Sequence, residues 1–202
     1  MYKKIIFIIS IMICVSCPGH QRSSTFLSNQ RLKIYKTSTC DSEKPFPQMV
    51  IIPFFENAVQ IVPSCKIYPK HKTALAMMVF YHHWLKWFGD EDLSVKNTLE
   101  KVMIEWSLEK KTFKVAYNLK GKKIKNATII GLTRTSSVVW VWKGPFNRIS
   151  DTSLMHELVH VMLRIKNGHG DRDHEGDKYS GWTVEHSALI YEAKEMLRSF
   201  DI

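Results

Sequence analysis

Ser153–Leu163 reads SLMHELVHVML, which places two histidines and a glutamate within five positions of an otherwise apolar stretch. Imidazole and carboxylate are costly to bury unless a partner satisfies them, so the segment either faces water or converges on something. Leu154, Leu158, Val161 and Ile165 recur at helical spacing. Ser150, Asp151 or Thr152 offers an N-cap ahead of them, and Asn167-Gly168 supplies a stop. The pattern predicts a capped helix to about Lys166 with those four residues packed inward. On it, His156 and His160 project from one face a turn apart, close enough for two ring nitrogens to hold one zinc ion. Glu157 reaches a water beside that ion without ligating it.

His156-Glu157-Leu158-Val159-His160 is the HExxH signature and resembles the active-site helix of the zincin metallopeptidases. Composition alone would produce that string in about 2% of chains of this make-up; the capped helix around it adds weight. The resemblance covers residues 150 to 190. It implies catalytic Zn2+, with Glu157 as general base and then general acid. It also implies an extended peptide bound antiparallel along the edge strand of the preceding sheet. Ser136–Trp142 is the candidate for that edge or its neighbour, although Val138, Trp140 and Trp142 equally suit a core.

Catalytic zinc takes three protein ligands and keeps one position open. The metzincin third ligand would fall at position 166, which is Lys166. A gluzincin-like ligand would be Glu185, in Glu185-His186-Ser187-Ala188. His174 is favoured over Glu185 and His169, because the glycine-flanked turn Gly170–His174 can fold back beside the helix without demanding a particular helix crossing. The neighbouring acids Asp171, Asp173, Glu175 and Asp177 solvate a loop, bind calcium or orient a ligand histidine. The EF-hand pattern is incomplete, which favours the last of these. Tyr179 and His186 are candidates for an additional donor to the carbonyl oxygen. His82 and His83 are adjacent on a helix, point apart, and read as packing or surface residues.

The N-terminus has the basic start and short apolar run, Ile5 to Val15, of a secretory signal. Cys14-Val15-Ser16-Cys17 resembles a bacterial lipobox, with Cys14 where leucine is usual, so Cys17 is the expected lipidation site. Residues 1–16 are then a signal peptide, 17–47 a polar flexible tether, and 48–202 a single domain in an extracytoplasmic, membrane-anchored protein. Removing 1–16 takes Lys3 and Lys4 and no acid, lowering the formal charge from +10 to +8. That charge suits an anionic lipid or polymer surface. The lysines are scattered, apart from Lys120–Lys125, so nucleic acid is not an expected partner. Cys40 and Cys65 either close a disulfide loop of about 25 residues or remain thiols.

In the domain, MVIIPFF and AVQIVP read as short strands, and residues 71–88 as a buried helix ended by Gly89. Ser94 caps a second helix carrying Leu99, Val102, Met103 and Trp106. From Thr112, alternating residues and the runs ATIIGL and SSVVWVW fit a small antiparallel sheet. A last helix spans about Thr183 to Phe200, with Ala188, Leu189, Tyr191, Ala193, Met196 and Leu197 available for packing. The expected fold is α+β and zincin-like: a small antiparallel or mixed sheet, the HExxH helix, and additional packing helices. The expected activity is that of a monomeric zinc endopeptidase acting on peptide or protein. The alternatives are a non-enzymatic surface lipoprotein with a structural metal or packed His pair, and a zinc amidase acting on cell wall.

Overall fold

The computed structural model describes residues 48–62, 69–90, 94–108, 110–117, 122–143, 148–171, 174 and 181–202, all within one compact unit. The proposed signal, Cys17, the tether, Cys40, Cys65, Asp173, Glu175, Asp177 and Tyr179 lie outside the described residues. No helix among the described residues is long and apolar enough to cross a membrane.

The elements are β1 (Gln48–Val50), β2 (Val59–Val62), α1 (Lys70–Phe88), α2 (Val95–Glu100), β3 (Met103–Ser107), β4 (Lys111–Tyr117), β5 (Lys123–Ile129), β6 (Gly131–Thr135), β7 (Val138–Trp142), α3 (Leu154–Asn167) and α4 (Val184–Ser199). Among the described residues, five strands form a mixed sheet in the order β1-β2-β3-β7-β6. The centre, β2-β3-β7, is parallel, and the edges β1 and β6 are antiparallel to their neighbours. This corrects the antiparallel sheet expected after Thr112. Only β6 and β7 join it, whereas β4 and β5 pair with each other as a separate ribbon. Parallel strands buried on both faces read as continuous apolar runs, and Val138, Val139, Trp140 and Val141 are such a run, all buried.

The second helix is also corrected. Ser94 Oγ accepts from Asn97 N at 3.4 Å and Asp90 Oδ1 from Val95 N at 2.6 Å, so the cap is real. The helix nevertheless ends at Glu100, and Met103 and Trp106 belong to β3. Their spacing cannot separate a buried strand from a buried helix. Ile104 and Trp106 join the main core, and Trp106 Nε1 donates to Thr73 Oγ1 of α1 at 3.1 Å.

That core lies between the sheet and the helices α1, α3 and α4, with Phe80, Trp106, Val139, Leu154, Leu158, Val161 and Leu189 at its centre. Helix α3 follows the 3-10 turn Ile149–Asp151 and ends at Gly168, φ 76°. Its entry differs slightly from expectation. Ser153 occupies the N-cap position, while Thr152 Oγ1 accepts from Leu154 N at 3.3 Å. Ile165, expected to pack, is 45% exposed because it lies past the buried stripe. In α4, Leu189, Ala193 and Leu197 are fully buried, but Tyr191 faces outward.

Candidate metal centre

Helix α3 crosses the sheet beside its antiparallel edge, so the inner face of the HELVH turn lies against β6. His156 and His160, one turn apart, direct their Nε2 atoms to within 3.0 Å of each other. His174 Nε2 comes from the loop beyond α3 to 3.0 Å from His156 Nε2. The three ligating atoms all lie within 4.8 Å of one another, a cluster that could hold a metal ion. Tetrahedral zinc with bonds of about 2.0–2.1 Å would separate its nitrogens by about 3.3 Å, so the trio fits such an ion with little adjustment.

Local chemistry prepares these nitrogens. The Gly170 carbonyl accepts a short hydrogen bond from His160 Nδ1–H, which leaves Nε2 with its lone pair outward. A Cβ at Gly170 would lie 3.1 Å from the His160 carbonyl oxygen, so the loop's close approach to α3 uses the absence of a side chain. Asp171, φ 43°, is fully buried, and its Oδ2 accepts from Trp182 N at 2.5 Å. It thereby ties together the two ends of the segment that carries His174, itself at φ 54°. Non-glycine residues in this left-handed region store strain, which clusters at functional sites. The Trp182 ring covers the trio, its centroid 4.7–5.0 Å from each imidazole. Burial, with His174 second, pushes His160 down to about 3. Burial and then the neighbouring imidazoles hold His156 well below the usual histidine range. Both rings are therefore neutral, the form that binds metal.

Glu157 is buried on the β6 side of the same turn, and burial pushes its carboxyl up to about 8. Thr133 Oγ1 lies 2.9 Å from Glu157 Oε2 and 2.8 Å from the Glu157 carbonyl oxygen. A hydroxyl has one proton to give. Thr133 shares it as donor between the two oxygens, and hydrogen bonds from Thr133 pull the carboxyl down against the larger upward push of burial. On the other side, a Cβ at Gly131 would meet Ser153 Oγ at 2.2 Å and Glu157 Oε1 at 2.4 Å. Gly131 thus opens the space in which Glu157 sits. Neither Thr133 nor Gly131 was singled out from sequence; the only available signal was a glycine inside a strand-like run, which marks close approach.

The other candidates fall elsewhere. Glu185 is exposed on the first turn of α4 and lines a different cavity with Lys166 and Phe88. His169 is half-buried, and its Nδ1 accepts from Asp171 N at 3.3 Å, outside the cluster. His186 also lines that other cavity; its Nδ1 accepts from Thr183 N at 3.0 Å in a capping box, and its ring stacks on Phe88 at 4.4 Å. It is committed to packing rather than to the groove. Buried His83 contacts Glu192 at 3.2 Å, while His82 is exposed. Of the expected edge segment, Val138–Trp142 is the neighbour strand β7, and the edge itself is β6.

A groove of about 500 Å³ opens onto His156 and Glu157. It is bounded by Thr128–Gly131 on the strand side and by Ser187, Ile190 and Lys194 of α4 on the other. Among the described residues, no fourth histidine, cysteine or carboxylate joins the trio. Compared with known proteins, the chain matches no family model, no curated protein and no solved structure.

Proposed function

We propose that this protein is a zinc-dependent endopeptidase of zincin type, exported and anchored through lipidated Cys17. His156, His160 and His174 hold the ion, and Glu157 is the general base. One observation carries the reading: three imidazole nitrogens converge beside a buried carboxyl, and His156 and Glu157 open onto a groove. Structural zinc sites are closed by four protein ligands, whereas a three-histidine set with His156 bordering a groove leaves room for substrate.

A zinc ion bound there supplies Lewis acidity, lowering the pKa of a water and polarising the carbonyl under attack. The remaining work belongs to the chain. Glu157 Oε1, on the Gly131 side, accepts a proton from the attacking water and returns it to the leaving nitrogen, while Oε2 stays against Thr133. The raised affinity of this carboxyl for a proton suits that transfer near neutral pH. Among the described residues no strand lies beyond β6, whose Gly131 end borders the groove, and its outer main-chain groups are suited to pair with an extended peptide.

The decisive test combines metal content with turnover. Glu157→Gln should retain about one zinc per chain and lose hydrolysis of casein by on the order of 10³-fold or more. A variant that keeps zinc and full hydrolysis would remove Glu157 from its role. A wild-type protein that binds zinc but cleaves neither casein nor peptidoglycan would favour a structural metal, and cleavage of peptidoglycan alone would make it an amidase.

A further inference from the structure

The α4 wall of the groove holds a charge that the hydrolytic chemistry does not use. Ser187, Ile190 and Lys194 share one face of α4 and all line the groove. This face begins at the metal centre, where Ser187 Oγ accepts from Trp182 Nε1 at 3.1 Å. It reaches Lys194 seven residues later, roughly 10 Å along the helix axis. The Lys194 charge still weighs on His156.

Lys194 is half-buried, and among the described residues its ammonium makes no hydrogen bond or ion pair. The surrounding charges are already matched. Asp151, which lines the same groove as Glu157, is held by Arg198 Nη2 at 3.2 Å, and Arg198 Nη1 in turn pairs with Glu195. The Lys194 ammonium is partly withdrawn from water with no counter-ion in contact among the described residues, which is costly. Burial accordingly lowers the proton affinity of Lys194, Arg198 lowers it further, and Asp151 compensates only in part.

We propose that Lys194 is a specificity-determining residue that pairs with a substrate carboxylate, so that the preferred substrates are acidic peptides. The proposal rests on the peptidase reading of the site. An extended chain advances roughly 3.3 Å per residue, which places the recognised carboxylate within about three residues of the cleaved bond. The carboxylate belongs to an Asp or Glu side chain or to a free C-terminus.

Two measurements test this, one of them independent of turnover. In the first, zinc-loaded Glu157→Gln protein is titrated with matched peptides carrying Glu or Gln at each position, each with a free or amidated C-terminus. The Glu or free-carboxylate peptide should bind on the order of 10-fold or more tighter than its neutral counterpart. Lys194→Met should erase the difference, Lys194→Arg should keep it, and Lys194→Glu should invert it toward Lys-containing peptides. In the second, kcat/KM of the active protein on the same set should fall with Lys194→Met for the acidic substrate and stay within about twofold for the neutral one. Equal binding of acidic and neutral peptides, or a uniform loss across both, overturns the proposal. Selective binding without hydrolysis upholds the anion subsite and defeats the peptidase reading; hydrolysis without selectivity does the reverse.

Discussion

His156, His160 and His174 invite comparison with His83 and His186, because all five are histidines of one domain core and meet different fates. Burial is the first cause of lowered basicity at His83, at His186, which is pushed to about 4, and at His156 and His160. Low basicity therefore distinguishes nothing. What differs is how the nitrogens are used. His186 Nδ1 is engaged by the Thr183 backbone and His83 Nδ1 faces Glu192. The trio instead turns three Nε2 atoms toward one another. Neutral imidazoles packed this way share at most one proton per contact, and a cation satisfies all three lone pairs together.

The largest expected effect comes from substituting across this divide. His160→Ala or His174→Ala should weaken zinc binding on the order of 10²- to 10³-fold, read by competition with a chromophoric chelator. His186→Ala and His83→Ala should leave zinc stoichiometry unchanged and lower only the melting temperature. If the two groups behaved alike, the comparison would fail. A smaller effect separates the ligands from the base. Gly131→Ala drives a methyl group into Ser153 Oγ and Glu157 Oε1 and should cost about 1–3 kcal/mol of stability. Hydrolysis should drop while the histidines retain zinc.

The smallest effect is a proton count. At pH 7 the metal-free Glu157 carboxyl, raised to about 8, holds its proton, and a neighbouring cation should expel it. Calorimetry in buffers of different ionisation enthalpy should find about one more proton released by wild type than by Glu157→Gln, a difference gone by about pH 9. The same values set the stability of the metal-free protein. A raised carboxyl contributes stability that is complete below its unfolded value of 4.5 and lost as pH rises through about 8. The depressed His160 contributes stability present above 6.5 and lost as pH falls toward about 3. Metal-free melting temperature should therefore decline between pH 6.5 and 8, and Glu157→Gln should flatten that decline.

Much of this was legible in local sequence. The spacing of His156 and His160, the stop at Gly168, the long helix ended by Gly89 and the strand character of Val138–Trp142 all follow from interactions within a few residues. Misreadings occurred where periodicity is ambiguous, as at Met103 and Trp106, whose helical spacing lies in a strand buried on both faces.

Sequence by itself determined the pair of imidazoles and the carboxyl between them, because a helix repeats at a fixed pitch and sets side-chain geometry from position alone. Tertiary structure alone decided the rest. His174 rather than Glu185 or His169 meets the pair because Gly170 presses against α3 and Asp171 holds Trp182 across the loop. Gly131 and Thr133 reach Glu157, and Lys194 reaches the groove, because sheet order and helix packing bring them there. Contacts between distant segments depend on how whole elements pack, and no fixed residue spacing encodes that.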